Sequence, residues 1–432
     1  MALFVLSRSA PLALLLTILG CGLAQAALDV TVRGGRQAPV PVAVVPFANN
    51  GDLTDVAKVV AQDLQSSGLF SPLDPNDMLA RPSQPKDVKF INWRTISAQH
   101  LVIGTLEPRD ASSSLIRFWL LNVTQERESL AYTIPARNSD LRYAAHRIAD
   151  LIYQELTGIR GVFNTDITYV VARGRGDQRE FQLVMADADG ANERLLTRSD
   201  EPLLSPTFSK QRDKVAYVAF QQGMPGIFVQ TLATGAITPL LSKPGINGAP
   251  AFAPDGQRLA VTLSFEGNPE IYWVDLQTQR LTRLTRSSAI DTEPVWSPDG
   301  RSIYFTSDRA GKAQIYRMDS TGGGVERLTF EGLSNARADV SPDGRKLTYV
   351  QQTANGYQVV VHDLRTNDTR LLTPGPLDES PRFAPNGDVI IYSTKGRGNQ
   401  AELATVTISS GVRRELRQAG DVREPAWSPF TD

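Results

Sequence analysis

The chain has little of what most enzymes and membrane proteins display. It holds one cysteine and three histidines (His100, His146, His362) in 432 residues. The histidines lie far apart and none has H-E-x-x-H spacing, so structural or surface roles are expected of all three. No G-x-S-x-G occurs, which argues against a serine-hydrolase nucleophile elbow, and there is no Walker sequence. Charge of one sign is also missing: 45 basic residues stand against 46 acidic ones, with no long block of either. That balance gives no electrostatic footprint for nucleic acid. No stretch reaches the ~20 apolar residues of a membrane span, so direct membrane insertion is not expected.

The single cysteine, Cys21, lies inside "APLALLLTILGCGLAQA". Arg8 precedes an apolar run over 10–19, and Ala24-Gln25-Ala26 forms a small-x-small cleavage site. Residues 1–26 therefore read as a secretory signal peptide, and the mature chain would be cysteine-free and without disulfides. A second reading stays open: "ILGC" faintly resembles a lipoprotein processing box, although Leu19 stands where a small residue is usual.

Residues 27–160 mix strand and helix periods. Strands are expected in "PVAVVPF", "HLVIGTL", "SLIRFWLLNVT" and "SLAYTIP". "TDVAKVVAQDLQSSG" reads as a helix with Thr54 as its cap and Gly68 as its stop. "SDLRYAAHRIADLIYQELTG" places Leu141, Ala145, Ile148, Ile152 and Leu156 on one face, with Ser139 before it and Gly158 after. This is a small α/β domain.

From about Ile167 the helical period vanishes and a repeat takes over. Aligning its turns gives Lys210, Pro254, Pro298, Pro342, Pro385 and Pro429, spaced 44, 44, 44, 43 and 44 residues. Each unit runs from a strand ending in an aromatic, through a Pro-Asp-Gly turn, to three further strands. Regular units with strand signals alone mean propeller blades. The last copy, "PAWSPF", is a leading strand with no blade behind it, whereas "DITYVVARG", "FQLVMADADG" and "ERLLT" are strands with no leader. The expected architecture is an α/β domain followed by an all-β six-bladed propeller over 161–432, closed by pairing of the C-terminal strand with the first propeller strands. The aromatics Phe208, Phe252, Trp296, Phe383 and Trp427 are expected to pack between blades.

Two formal motif matches dissolve in context. "GRGNQA" (396–401) joins two strands and opens no helix. "DADGANE" (187–193) lacks the ligand at position five, and Arg198 stands where a calcium loop needs Glu, so it is a turn. What remains is a face. Three residues before each aromatic position stand Ser205, Ala249, Glu293, Arg337, Ser380 and Glu424; one residue earlier stand Leu204, Gly248, Thr292, Ala336, Glu379 and Arg423, with Asp291 and Asp378 nearby. This rim reads either as solvated loops or as a docking surface with an acidic arc. Its convergent carboxylates could hold calcium in the channel; otherwise no cofactor and no metal site is expected.

The stretches "NGAPAFAPDG", "DTEPVWSPDG", "LDESPRFAPNG", the terminal "REPAWSPF" and the junction "LTGIRGVFNTDITYVV" together resemble the TolB family, the periplasmic propeller proteins of the Tol-Pal system. The resemblance spans essentially the whole mature chain. It implies a periplasmic, monomeric, non-enzymatic adaptor. In this reading the propeller mouth binds the lipoprotein Pal, the mature N-terminus binds TolA, and the system supports outer-membrane integrity and envelope constriction in division. Carried over, the Pal surface would include Pro202, Ile246, Asn247, Ala249, Thr292 and Glu293, with Glu379 and Glu424 beside them. The TolA segment would be "ALDVTVRGG", through Leu28, Asp29, Val30, Thr31 and Val32, whose alternation suits added-strand pairing or an edge strand of its own. Ile246 departs from relatives with a polar or imidazole group there, which makes any contact apolar. Glu293 and its acidic neighbours would steer Pal, giving salt-dependent association. The competing reading, a peptidase-associated or carbohydrate-binding propeller, lacks a nucleophile elbow and an aromatic platform at the mouth.

Overall fold

The structure, a computed structural model, describes residues 38–49, 53–174, 179–396, 398, 400–416 and 418–430. The expected leader with Cys21, and the segment from Leu28 to Val32, lie outside the described residues.

The apolar run at the start becomes β1 (Val40–Val44), which pairs in parallel with β2 (Phe70–Pro72) and β3 (His100–Pro108). Strands β4 (Ser113–Asn122) and β5 (Arg127–Arg137) extend the sheet antiparallel, in the order β2-β1-β3-β4-β5. One face packs on helices α1 (Val56–Ser66) and α3 (Leu141–Thr157), burying Val60, Leu64, Ile148 and Ile152 against Val102 and Phe118. The other face is closed by α2 (Phe90–Thr95), whose Trp93 is buried against Leu101 and Ile103. The cap of α1 is Asp55, not Thr54: the Asp55 carboxylate accepts the Lys58 N–H at 3.0 Å, and Thr54 lies one residue too early. Ser139 sits in a 3-10 turn (Asn138–Asp140) and does not cap α3. Gly158 ends α3 as expected, with φ 74° and its N–H bonded to Gln154.

Six four-stranded sheets follow, and their leading strands line one central channel. Each Pro-Asp-Gly turn works as its chemistry dictates: Asp255, Asp299 and Asp343 accept the N–H two residues on, and Gly256, Gly300 and Gly344 take φ near +70°. Trp296 donates its indole N–H to Ala251 O of the neighbouring blade, at 3.1 Å. In the closing blade the strand Asp421–Trp427 pairs antiparallel with Asp166–Arg173, Val422 opposite Val171 and Trp427 opposite Ile167. Trp427 Nε1 also donates to Thr165 Oγ1 at 2.8 Å, tying the last strand to the junction.

Ala38–Asp432 form one compact unit, in which the α/β region contacts the propeller. The contact lies at the Pro-Asp-Gly end. Asn386 donates to Arg160 O at 3.2 Å, and Ser410 to Ser67 O at 3.3 Å. A Cβ on Gly68 would come within 2.4 Å of Val412, a contact that only glycine permits. The opposite end of the channel carries the loops that lead into the inner strands.

Candidate functional site: the channel mouth

Every inner strand breaks its ladder at the same place, with a register shift just where the rim residue stands. There Ser205, Ala249, Glu293, Arg337, Ser380 and Glu424 all adopt left-handed backbone, with φ between 47° and 56°. None is glycine, so each position stores strain of order 1–3 kcal/mol. In five of the six the next residue is proline (206, 250, 294, 381, 425), which has no N–H to lose at the break. A bulge re-aims a side chain, and here six of them converge on a channel of about 560 Å³.

All but Ala249 are polar, and these five side chains form a polar belt. Arg337 Nε lies 3.2 Å from Glu293 Oε1, and its Nη1 lies 3.2 Å from Glu424 Oε1 and 2.6 Å from Ser380 Oγ. Glu424 Oε2 in turn accepts the Ser205 N–H at 2.6 Å. Glu293 Oε2 accepts the Arg337 N–H at 2.9 Å and the Thr306 hydroxyl at 2.8 Å. Burial disfavours charge on Arg337, but the Glu424 and Glu293 carboxylates more than restore it and hold its pKa above the ordinary value. Burial likewise opposes charge on Glu424, and Arg337 with the Ser205 donors brings its pKa below the ordinary range.

The acidic arc is therefore corrected. Its carboxylates are consumed within the protein: Asp291 is fully buried in a two-pronged bond with Arg309, and Asp378 accepts Gly375 N–H and Thr394 hydroxyl. Glu379 is half-buried beside the belt, where its charge adds to the field at Arg337. The Arg337 guanidinium lies between Glu293 and Glu424 and pairs with both. Removing that guanidinium leaves two facing carboxylates, a change worth about 3–5 kcal/mol for a fully buried pair. Since the Arg337 side chain is 40% exposed, Arg337→Ala is expected to cost about 1–2 kcal/mol in urea denaturation.

The remaining candidates separate into those that face outward and those that do not. Asn247 is buried: its amide donates to Lys243 O and Gly245 O and accepts Lys243 N–H, so it shapes the loop and presents nothing. Thr292 is half-buried, its hydroxyl 3.4 Å from that of Thr262, and Ala249 lines the channel. Pro202 and Ile246 are exposed. Around them lies a feature not expected from the sequence. Ile246 (49%), Ile290 (49%) and Leu377 (39%) are exposed three residues ahead of their left-handed positions, and Leu333 (51%) four ahead of Arg337, in the loops leading into successive blades. Large aliphatic side chains open to water in four adjacent blades make an apolar arc at the channel-mouth end. The signal was readable three residues ahead of the left-handed position, where Pro202, Ile246, Ile290 and Leu377 fall.

Residues 28–129 match the TolB amino-terminal domain family, and residues 153–431 match the TolB beta propeller domain family. The chain belongs to the TolB family. The Tol-Pal system protein TolB of Thioalkalivibrio sulfidiphilus is 54% identical, over 98% of both chains. That of Methylococcus capsulatus is 55% identical over 96% of this chain and 97% of its own. The crystal structure of TolB from Acinetobacter baumannii superposes with a TM-score of 0.84 at 38% identity, covering 91% of this chain and 97% of that one. The α/β region followed by a six-bladed propeller is thus the TolB architecture.

Proposed function

We propose that this TolB-family protein is a non-enzymatic periplasmic adaptor of the Tol-Pal system. In this reading its channel mouth docks Pal, and the segment containing Leu28, Asp29, Val30, Thr31 and Val32 engages TolA. Linking these partners across the envelope would support outer-membrane integrity and constriction during division. The observation that carries the Pal reading is the apolar arc of Ile246, Ile290, Leu333 and Leu377 at the mouth, beside a strained, cross-bonded belt. A preorganised apolar surface gives affinity with little ordering cost on binding. The close relatives named for the Tol-Pal system support the same assignment. None of the three histidines lines the channel, and no helix among the described residues is long and apolar enough to cross a membrane.

Because Arg337 supplies the positive charge inside the mouth, the site works without a metal cofactor. Calcium or a chelator is expected to leave the Pal dissociation constant within about twofold, and a tenfold rise in salt within about threefold. A steep salt slope in calorimetry would restore acidic steering as the main source of affinity. Deleting residues 27–35 is expected to abolish capture of TolA while Pal is still retained. Loss of both together would show that the two partners do not use separate surfaces.

A further inference from the structure

The interface between α3 and the propeller contains a charged node that the docking surfaces do not use. His146 and Asp63 are both buried, and His146 Nδ1 lies 2.7 Å from Asp63 Oδ2 on α1. The other ring nitrogen, Nε2, has no hydrogen-bond partner and faces Asp187 Oδ2, at 3.7 Å, on the propeller strand Glu180–Asp187. Arg142, one turn back on α3, bonds Asp187 at 3.0 Å and also Asp189. One turn further on, Asp150 accepts the Phe163 and Asn164 N–H groups at 2.8 and 3.2 Å, holding the connecting segment. Among the described residues, Asp63, Asp187 and Asp189 thus meet a single permanent cation, Arg142. The node is short of positive charge unless His146 carries a proton.

His146, Asp187 and Asp189 also lie close enough together to suggest metal ligands. Arg142 already sits on both carboxylates, and a divalent ion would have to expel it. A proton fills the deficit with no rearrangement.

We propose that the interface between the α/β region and the propeller is an acid-tightened latch, in which a proton held by the Asp63–His146 pair lets the imidazolium bind Asp187 across the junction. Its energetics run in one direction. Burial disfavours charge on His146, but the Asp187 carboxylate facing Nε2, the hydrogen bond to Asp63 and the surrounding negative charge overcome it, raising the pKa from 6.5 to about 10. Burial raises that of Asp63 as well, opposed by His146, so the pair keeps its proton well above neutrality. A group whose pKa is raised by closure stabilises the closed form fully below its open-state pKa and loses that contribution as pH climbs to the closed-state value. For His146 the loss runs from about pH 6.5 to about pH 10. Asp150, pushed by burial from 3.8 to about 7 against the pull of the Phe163 and Asn164 amides, acts in the same sense at lower pH. Asp187 has its pKa lowered, because His146 and Arg142 outweigh its burial; it stays charged throughout this range.

The test is hydrogen exchange with rapid quench on the full mature chain, at pH 7.5 and 9.0, above the Asp150 transition. The reporters are the amides of Phe163 and Asn164, which donate to Asp150 on α3 from the connecting segment. Protection factors, corrected for the intrinsic pH dependence of exchange, are expected to fall about tenfold in the native protein. In His146→Gln they are low at both pH values and show no step. In Arg142→Gln they are lowered at both, but the step survives because Arg142 does not titrate here. Should His146→Gln not fold, Asp187→Asn, whose side chain is 23% exposed, serves instead and moves the step to lower pH. Protection that is equal at both pH values in the native protein, or a step that survives unshifted in both His146→Gln and Asp187→Asn, overturns the latch.

Discussion

Replacing Ile246, Ile290 and Leu377 together by aspartate is expected to weaken Pal binding about 100-fold or more while leaving the melting temperature within a few degrees. The two halves of that expectation come from one fact: these side chains are open to water in the free protein. Their loss removes nothing from the core, so stability is unaffected beyond the ±0.5 kcal/mol typical of surface changes. On docking, each would bury an aliphatic group worth about 1.5–3 kcal/mol, and a buried aspartate adds a desolvation penalty. A summed loss of only ~3 kcal/mol already gives a 100-fold change. Calorimetry and differential scanning on the same samples separate the outcomes. Binding within threefold of the parent would remove the apolar arc from the docking surface. A fall in melting temperature of more than ten degrees would show that the loops carry structural load.

The second large effect concerns closure. Deleting residues 421–432 is expected to abolish the single cooperative unfolding transition. The deletion removes Val422 and Ala426, both buried, together with the Trp427–Thr165 bond. It also strips Asp166–Arg173 of its partner and leaves an open eight-residue edge, a template for pairing with other chains. Broad melting and concentration-dependent association should follow. A synthetic peptide of residues 418–432 added in trans should restore the sharp transition, because backbone pairing is the missing element. A truncated chain that melts as sharply as the parent, with no gain from the peptide, would mean that the closing strand is dispensable.

The two periods in the sequence made most of this architecture legible. Turn chemistry at a spacing of 43 or 44 residues placed the inner strand of each blade, and the unpaired "PAWSPF" revealed where the ring would close. The short elements escaped for a physical reason. β2 has three residues and α2 six, too few for either period to show. The rim positions were found by counting back from the aromatics, and all six proved to be left-handed bulges. Their electrostatics were not legible, because pairing across a channel depends on which blades face each other. Arg337 is 44 residues from Glu293 and 87 from Glu424, so nothing local announces that it neutralises both. The same holds for His146, which meets Asp63 and Asp187 only once helix, helix and blade are packed.

Docking of Pal at the channel mouth is the claim on which the other binding expectations depend. Titration of residues 27–432 with the soluble domain of Pal from the same organism tests it in one calorimetric measurement. The expected result is saturable one-to-one binding with a negative heat-capacity change, reporting apolar burial, and no dependence on calcium. Absence of binding at protein concentrations up to about 1 mM, beyond the weakest affinity at which docking would matter, would contradict the adaptor reading.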